Sequence, residues 1–387
     1  MKYINYGNHY IDNDDLLSVK NALKAEKITQ GVLVNKFENN LSKYLNSKYC
    51  ATVTSGTAAL FLSLKALKLN KKKIVITTPI TFVSTVSSIL MNNYFVDFCD
   101  IDLKSYTLDI DKLENKLKKN KKIGAVIAVD YAGHPCDWKR LWYLKNKYKF
   151  YLINDNCHAL GAKYNYSSNY ATKYADLVTQ SFHPVKNITT GEGGAVLTNN
   201  KSFYNNILLM KSHSMVRNNN LSKTYGRWHY EINDIGYNFR LSDIQCALGI
   251  SQLKKLKFFL KKRKEIAKIY NQEFSGSSLF TVPKLQKGIS HAYHLYPLLI
   301  DFQKAKISKK IFFEKMINKK INLQVHYIPV HTQPFMKKFG FKKGQFPVSE
   351  KFFEMEVSLP IYYSLKKKDT IFVIKSLKKI IEVQKNV

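Results

Sequence analysis

The chain has 387 residues, 45% apolar and 23% charged, enough for two globular units or one large unit with a smaller one appended. Lys and Arg number 62 against 28 Asp and Glu, a formal charge of +34, but 13% aromatic content excludes a disordered polycation. The charge asks for an anionic partner, yet arginine occurs only at Arg140, Arg217, Arg227, Arg240 and Arg263. Arginine makes the bidentate contacts to phosphate and guanine, so a dedicated nucleic-acid reader is not expected and biased composition accounts for most of the lysine.

In chain order, Cys50 to Thr54 reads as a strand and Ala58 to Leu69 as an amphipathic helix. Ile74 to Thr78, Tyr94 to Phe98, Ala125 to Asp130, Phe150 to Asp155 and Leu177 to Phe182 continue as strands, with a helix over Val83 to Met91. Apolar strands separated by helices predict a mostly parallel sheet covered on both faces. Leu241 to Tyr270 reads as a long helix capped by Ser242. Beyond it, Tyr296 to Ile300 and Asn322 to Tyr327 read as strands, and Lys309 to Lys319 and Lys368 to Val383 as helices. The expected division is a large domain over 1–250, N-terminal segment included, and a smaller α+β domain over 251–387. The basic run Lys118 to Lys122 reads as a solvated helix face.

Five scattered cysteines, Cys50, Cys99, Cys136, Cys157 and Cys246, form no C-x-x-C pair, so neither a disulfide framework nor a zinc site is expected. The N-terminus lacks an apolar signal core, and Ile74 to Met91 is too short and polar to span a bilayer. A cytoplasmic protein with no membrane and no nucleic-acid partner is therefore expected.

Three segments can carry chemistry. T-S-G-T-A-A-L, residues 54 to 60, lies at a strand-to-helix turn where hydroxyls, a glycine and free amides can hold a phosphate. Taken alone, ordinary helix capping accounts for it. Asp155 ends an apolar strand, where α/β sheets bind ligands, with His158 three residues on. A turn-forming aspartate and a core histidine would look the same. The third segment, Q-S-F-H-P-V-K-N-I-T-T-G-E-G-G-A over 180 to 195, places Lys186 after a strand in a loop of Ser, His, Thr and Gly. A confined lysine can lose its proton and become a Schiff-base nucleophile. Lysine, acid and phosphate cup together are what pyridoxal phosphate needs, and Phe82 can supply an aromatic face or be a core residue.

The motifs S-G-T, D-x-x-H-A-L-G, S-F-H-P-V-K-x-I-T-T-G-E-G-G, G-Y-N-F-R-L-S-D-I-Q-C-A-L-G and V-H-Y-I-P-V-H resemble the DegT/DnrJ/StrS family over nearly the whole chain, from residue 28 to residue 362. These are fold-type-I, pyridoxal-phosphate-dependent aminotransferases of nucleotide-linked keto sugars. The resemblance implies a mostly parallel seven-stranded sheet flanked by helices, plus a small C-terminal α+β domain. It also implies a homodimer with shared active sites. Carried over by position, Lys186 would bind the cofactor and move protons, Asp155 would pair with the ring nitrogen, and His158 would sit by the ring hydroxyl. Thr57, the Ala58 amide and Ser181 would hold the phosphate, Phe82 would cover the ring, and Asn238 would reach the phosphate from a second subunit. Some members have histidine at the lysine position and act as dehydratases; the presence of Lys186 favours transamination.

Within the family, T-T-P-I-T-F-V-S-T, V-D-Y-A-G-H, H-L-Y-P and V-H-Y-I-P-V-H most resemble the pseudaminic acid branch. That branch implies UDP-2-acetamido-2,6-dideoxy-β-L-arabino-hexos-4-ulose as substrate and L-glutamate as donor. Tyr6, Lys27, Tyr327 and His331 match its sugar-nucleotide side. His326 and His331 are poorly spaced for a metal, and none is expected. Ser214 where relatives commonly have glycine, the insertion-like Asn218 to Thr224, and Asn156 and Cys157 after the aspartate depart from the pattern and leave other keto sugars, or a non-catalytic role, open.

Overall fold

The structure, a computed structural model, describes residues 3–382. Seven strands form the central sheet in the spatial order Tyr49–Val53, Gly194–Thr198, Leu177–Ser181, Tyr151–Asp155, Ile123–Val129, Ile74–Thr77, Phe95–Phe98. All run one way except Gly194–Thr198, which is antiparallel to both neighbours. Every residue of Ile123–Val129 is buried, because helices cover both faces. Val126 and Ala128 face the core holding Phe37, Leu41 and Trp138; Ala125 and Ile127 face the core under helix Gly56–Ala66. This is the period-2 alternation of a strand buried on both sides.

The helix Asp243–Phe274 starts with a capping box, in which Ser242 and Gln245 bond reciprocally. Its first half packs Cys246, Ile250 and Leu256 on the large core, and its second half packs Ile266, Tyr270 and Phe274 on another. Residue 250 thus lies inside an unbroken helix shared by both cores. The second core is built on three antiparallel strands, Phe280–Thr281, Tyr296–Ile300 and Glu356–Leu359, with helices Lys309–Asn318 and Lys367–Glu382 against them. Val383, the expected end of the last helix, lies outside the described residues. The strand Ile4–Asn5 pairs in parallel with Ile321–Asn322, so the N-terminal segment joins the second unit as well.

One expected strand is corrected. In place of a strand over Asn322 to Tyr327 there is the two-residue strand Ile321–Asn322 and a single antiparallel bridge in which the Ser358 amide donates to the Gln324 carbonyl at 2.8 Å; at His326 the backbone is claimed by side chains. The His326 amide donates to Glu356 Oε2 at 2.9 Å, and its carbonyl accepts from the Tyr131 hydroxyl. The antiparallel strand Gly194–Thr198 and the helices Asn13–Leu23, Val32–Leu45 and Pro347–Met355 add to the elements read from sequence. No helix among the described residues is long and apolar enough to cross a membrane.

Gly194 shows why the sheet closes as it does. A Cβ there would stand 2.4 Å from the Ser55 carbonyl oxygen and 2.9 Å from that of Gln180, both backbone atoms with little freedom to yield. Gly194→Ala is expected to destabilise the protein by about 1–3 kcal/mol, the usual cost of forcing an extra methyl into a packed site. The midpoint of denaturant unfolding measures it, and an unchanged midpoint would show that the turn is free to move.

Candidate active site

Because the strands run parallel, their carboxyl ends share one edge of the sheet, where α/β folds bind ligands. A cavity of about 560 Å³ opens at this edge. Thr57 lines it from the start of helix Gly56–Ala66, Asp155 and Ser181 from strand ends, and Lys186 from the loop before Gly194–Thr198. Phe82, His158, Tyr6 and Tyr327 complete the sequence-predicted residues that meet there, with Cys157, His183, His294 and His326 beside them.

Lys186 sits in a loop held by its ends: the Phe182 amide donates to the Gly193 carbonyl at 2.8 Å, and the Thr190 amide to the Phe182 carbonyl at 3.0 Å. Burial lowers the pKa of its ammonium, with Cys157 and Asp155 pulling the other way. A desolvated lysine is drawn toward the neutral nucleophile, and the nearby carboxylate keeps the charged form within reach.

Asp155 is buried, and its Oδ2 accepts from Thr85 Oγ1 at 2.9 Å. Thr85 lies 2.8 Å from Thr81 Oγ1, so a short hydroxyl chain orients the carboxylate. The His158 tautomer is set by the backbone: Nδ1 accepts from the Ala132 amide at 3.2 Å, which leaves the proton on Nε2, 3.2 Å from the Tyr327 hydroxyl. Burial, then the charge of Lys186, pulls the His158 pKa well below its ordinary value, so its ring is neutral.

The turn at residues 54 to 58 is shaped by close approach. A Cβ on Gly56 would come within 2.8 Å of Ser181 Cβ and 3.2 Å of its hydroxyl, so only glycine lets helix Gly56–Ala66 begin against the end of strand Leu177–Ser181. The Ala58 amide donates to Ser55 Oγ at 3.1 Å, as the N-cap of that helix. The hydroxyls of Thr57 and Ser181 both reach the cavity beside this helix N-terminus. Phe82, half exposed on the cavity wall, lies 5.9 Å from the Tyr327 ring.

Three other predicted residues lie away from this wall. His331 is fully buried between Phe98 and Phe346 with Nε2 2.9 Å from Glu350 Oε1, so its ring is occupied elsewhere. Lys27 is exposed. Asn238 is exposed and bridges Ser212, next to Phe239, whose carbonyl accepts from the Thr54 amide at 3.1 Å. Sequence reading missed Thr85, His294 and His326. Thr85 is one helical turn past Phe82, a spacing that hints at a shared face. No set of three or more His, Cys, Asp or Glu among the described residues is arranged to hold a metal.

Comparison with known proteins agrees with this geometry. Residues 9–378 match the DegT/DnrJ/EryC1/StrS aminotransferase family. The chain is 39% identical over 381 residues to the UDP-4-amino-4,6-dideoxy-N-acetyl-beta-L-altrosamine transaminase of Campylobacter jejuni serotype O:2, covering 98% of each. It superposes with a TM-score of 0.90 and 32% identity on Helicobacter pylori PseC, an aminotransferase involved in the biosynthesis of pseudoaminic acid, over 99% of this chain and 100% of that one. The PLP form of a putative sugar aminotransferase, Spr1654 of Streptococcus pneumoniae, also matches at TM-score 0.90 and 26% identity, covering 99% of each.

The buried imidazoles make stability depend on pH. His158, His291 and His294 are held well below their ordinary pKa, and His326 is lowered to about 3, each mainly by burial. Unfolded, they titrate near ~6.5, so the native chain binds fewer protons below that pH and loses stability as the solution is acidified. Asp130, raised to about 6, and Glu356, raised to about 7, oppose this but are fewer. Unfolding midpoints are expected to fall between about pH 7 and about pH 5.5, with His158→Gln flattening the slope by up to ~1.4 kcal/mol per pH unit. A slope unchanged in His158→Gln would mean that this ring is protonated in the native state.

Proposed function

The chain belongs to the DegT/DnrJ/EryC1/StrS aminotransferase family and is a pyridoxal-phosphate-dependent sugar aminotransferase, and on that premise we propose that it aminates C4 of a UDP-linked 4-keto-6-deoxy sugar with L-glutamate as donor. The favoured substrate is UDP-2-acetamido-2,6-dideoxy-β-L-arabino-hexos-4-ulose. The observation that carries the proposal is Lys186, desolvated in a cavity that also holds a strand-end aspartate. Similarity to transaminases of this sugar across essentially the whole chain supports the choice of substrate.

The residues present fit the cofactor. The close approach that Gly56 permits leaves a hydroxyl-lined recess at a helix N-terminus, suited to a phosphate, with Lys186 and Asp155 on the walls of the same cavity. When bound, pyridoxal phosphate supplies an electrophilic carbon and a ring that draws electrons from the carbon being protonated or deprotonated. Lys186 Nζ would hold the cofactor and, when free, would take and return the proton. Asp155, steadied by Thr85, would hold a proton on the ring nitrogen, and His158 would offer its Nε2–H, now 3.2 Å from the Tyr327 hydroxyl, to the ring hydroxyl. Thr57, Ser181 and the Ala58 amide would hold the phosphate, and Phe82 would exclude water from one face. Tyr6 and Tyr327 shape the sugar side of the cavity, and Lys27 and His331 belong to the same proposal only from outside its wall.

Asn238 supports a homodimer with shared sites, because it is exposed and lies outside its own cavity wall. Mixing Lys186→Ala with Asn238→Ala chains is expected to restore activity in a fraction of hybrid dimers. No restoration would mean that each chain completes its own site.

The decisive experiment incubates the protein with glutamate and a panel of UDP-linked 4-keto and 3-keto sugars and identifies products by mass spectrometry. The 4-amino product from the β-L-arabino substrate is expected, and preference for another keto sugar would move the assignment there. Lys186→Ala should lose both the absorbance of lysine-bound cofactor and turnover, by at least about 10³-fold, as removal of a nucleophile and proton carrier does. A protein that stays yellow with every amino donor would be a non-catalytic binder.

A further inference from the structure

His326 is held at three points. Its amide donates to Glu356 Oε2 at 2.9 Å, its carbonyl accepts from the Tyr131 hydroxyl, and its Nδ1 lies 2.8 Å from Ser358 Oγ. Ser358 Oγ in turn donates to Glu356 Oε1 at 2.5 Å. One carboxylate therefore serves the same histidine twice, through the backbone with one oxygen and through the ring with the other. Glu356 and Ser358 are fully buried and adjacent in register on strand Glu356–Leu359, which pairs with Tyr296–Ile300 at the centre of the second unit's sheet. Their positions are fixed by that sheet and not by the cavity.

The proton order follows from the chemistry of the groups. Burial raises the Glu356 pKa to about 7, and above that pH the ionised carboxylate only accepts, so the Ser358 hydroxyl spends its hydrogen on Glu356 and offers a lone pair to the ring. Nδ1 must then be the protonated nitrogen. Nε2 carries a lone pair and has no hydrogen-bond partner among the described residues, while the ring itself lines the 560 Å³ cavity, with the Tyr6 ring 4.9 Å away. Lys309 lies in the same surroundings and offsets the buried charge of Glu356.

We propose that Glu356 and Ser358 are positioning residues that hold His326 in its Nδ1–H form, so that Nε2 accepts a hydrogen bond from a hydroxyl of the bound sugar. The proposal rests on the reading of the cavity as a nucleotide-sugar site. It adds a neutral acceptor to a cavity whose carboxylates are Asp155 and Glu192, and a keto sugar has hydroxyl hydrogens to place as well as oxygens. A site that accepts from a substrate hydroxyl discriminates against a sugar lacking it, because a buried lone pair is then left unmatched.

The test has one readout that does not depend on activity. Ring ¹⁵N shifts of His326, assigned by their absence in His326→Gln, should report the Nδ1–H form in the wild-type holoenzyme and a mixture of forms in Ser358→Ala. The same variant should raise KM for the keto sugar about 5–10-fold, the size of one neutral hydrogen bond, with kcat and the glutamate half-reaction unchanged. Ser358→Thr restores the hydroxyl and should restore both readouts. Should Ser358→Ala fold poorly, Glu356→Gln is expected to give the same mixture of ring forms. An Nε2–H ring in the wild type, or an unchanged ring form and KM in Ser358→Ala, would overturn the proposal. A wild-type protein that accepts no nucleotide keto sugar would overturn the functional reading instead, and the ring shifts would still decide whether the lock exists.

Discussion

The site depends on a carboxylate that never meets a ligand. Asp130, fully buried just past strand Ile123–Val129, accepts from the Cys136 amide at 2.8 Å and Trp138 Nε1 at 3.0 Å with one oxygen. Its other oxygen accepts from Asn156 Nδ2 and the Tyr170 hydroxyl, both at 2.8 Å. Its amide also donates to the Asp155 carbonyl at 3.1 Å. These donors compensate for burial that still raises its pKa to about 6. Four stretches of chain, around residues 130, 136–138, 155–156 and 170, are tied to one point beside Asp155. Asn156 is one of those ties, with Gln180 Nε2 donating to its side-chain oxygen at 2.6 Å. With two donors on each Asp130 oxygen the carboxylate is held rigidly, which gives the neighbouring Asp155 a rigid base.

Above that base the cavity is assembled from both cores. The large sheet supplies the strand-end residues, which fit the requirements of a phosphorylated, electron-withdrawing cofactor. The second unit supplies His326 and Tyr327, and the N-terminal strand that pairs with Ile321–Asn322 carries Tyr6 beside them. Under the proposed function, this division separates the residues for the cofactor from those for the sugar.

The elements that were legible in the sequence were those with a strong local signature. Strands buried on both faces are unbroken apolar runs, so Ile123–Val129 and Tyr151–Asp155 stood out; the S-G-T turn and the lysine loop were legible because their glycines and hydroxyls have few other uses in that order. Gly194–Thr198 was hidden because its direction depends on a short return from Ser181, not on its composition. The stretch after Asn322 looks like a strand by composition, but it keeps only one bridge, Gln324 to Ser358, and Glu356 and Tyr131, remote in sequence, take the backbone groups of His326. His331 was aligned with the substrate side by its motif, and a contact with Glu350 turns its ring inward.

The charge of +34 also divides along this line. Lys186 is the only lysine or arginine among the described residues that line the cavity, so nearly all of that charge lies away from the chemistry. By itself the sequence determined the fold class and singled out Lys186 and Asp155, because these rest on periodicity and on motifs contiguous in the chain. Only the tertiary structure decided that both line one cavity, which hydroxyl steadies Asp155, which backbone amide bonds the His158 ring, and which predicted residues miss the cavity wall. Those outcomes are set by hydrogen bonds between residues tens to hundreds of positions apart, and no local pattern encodes them.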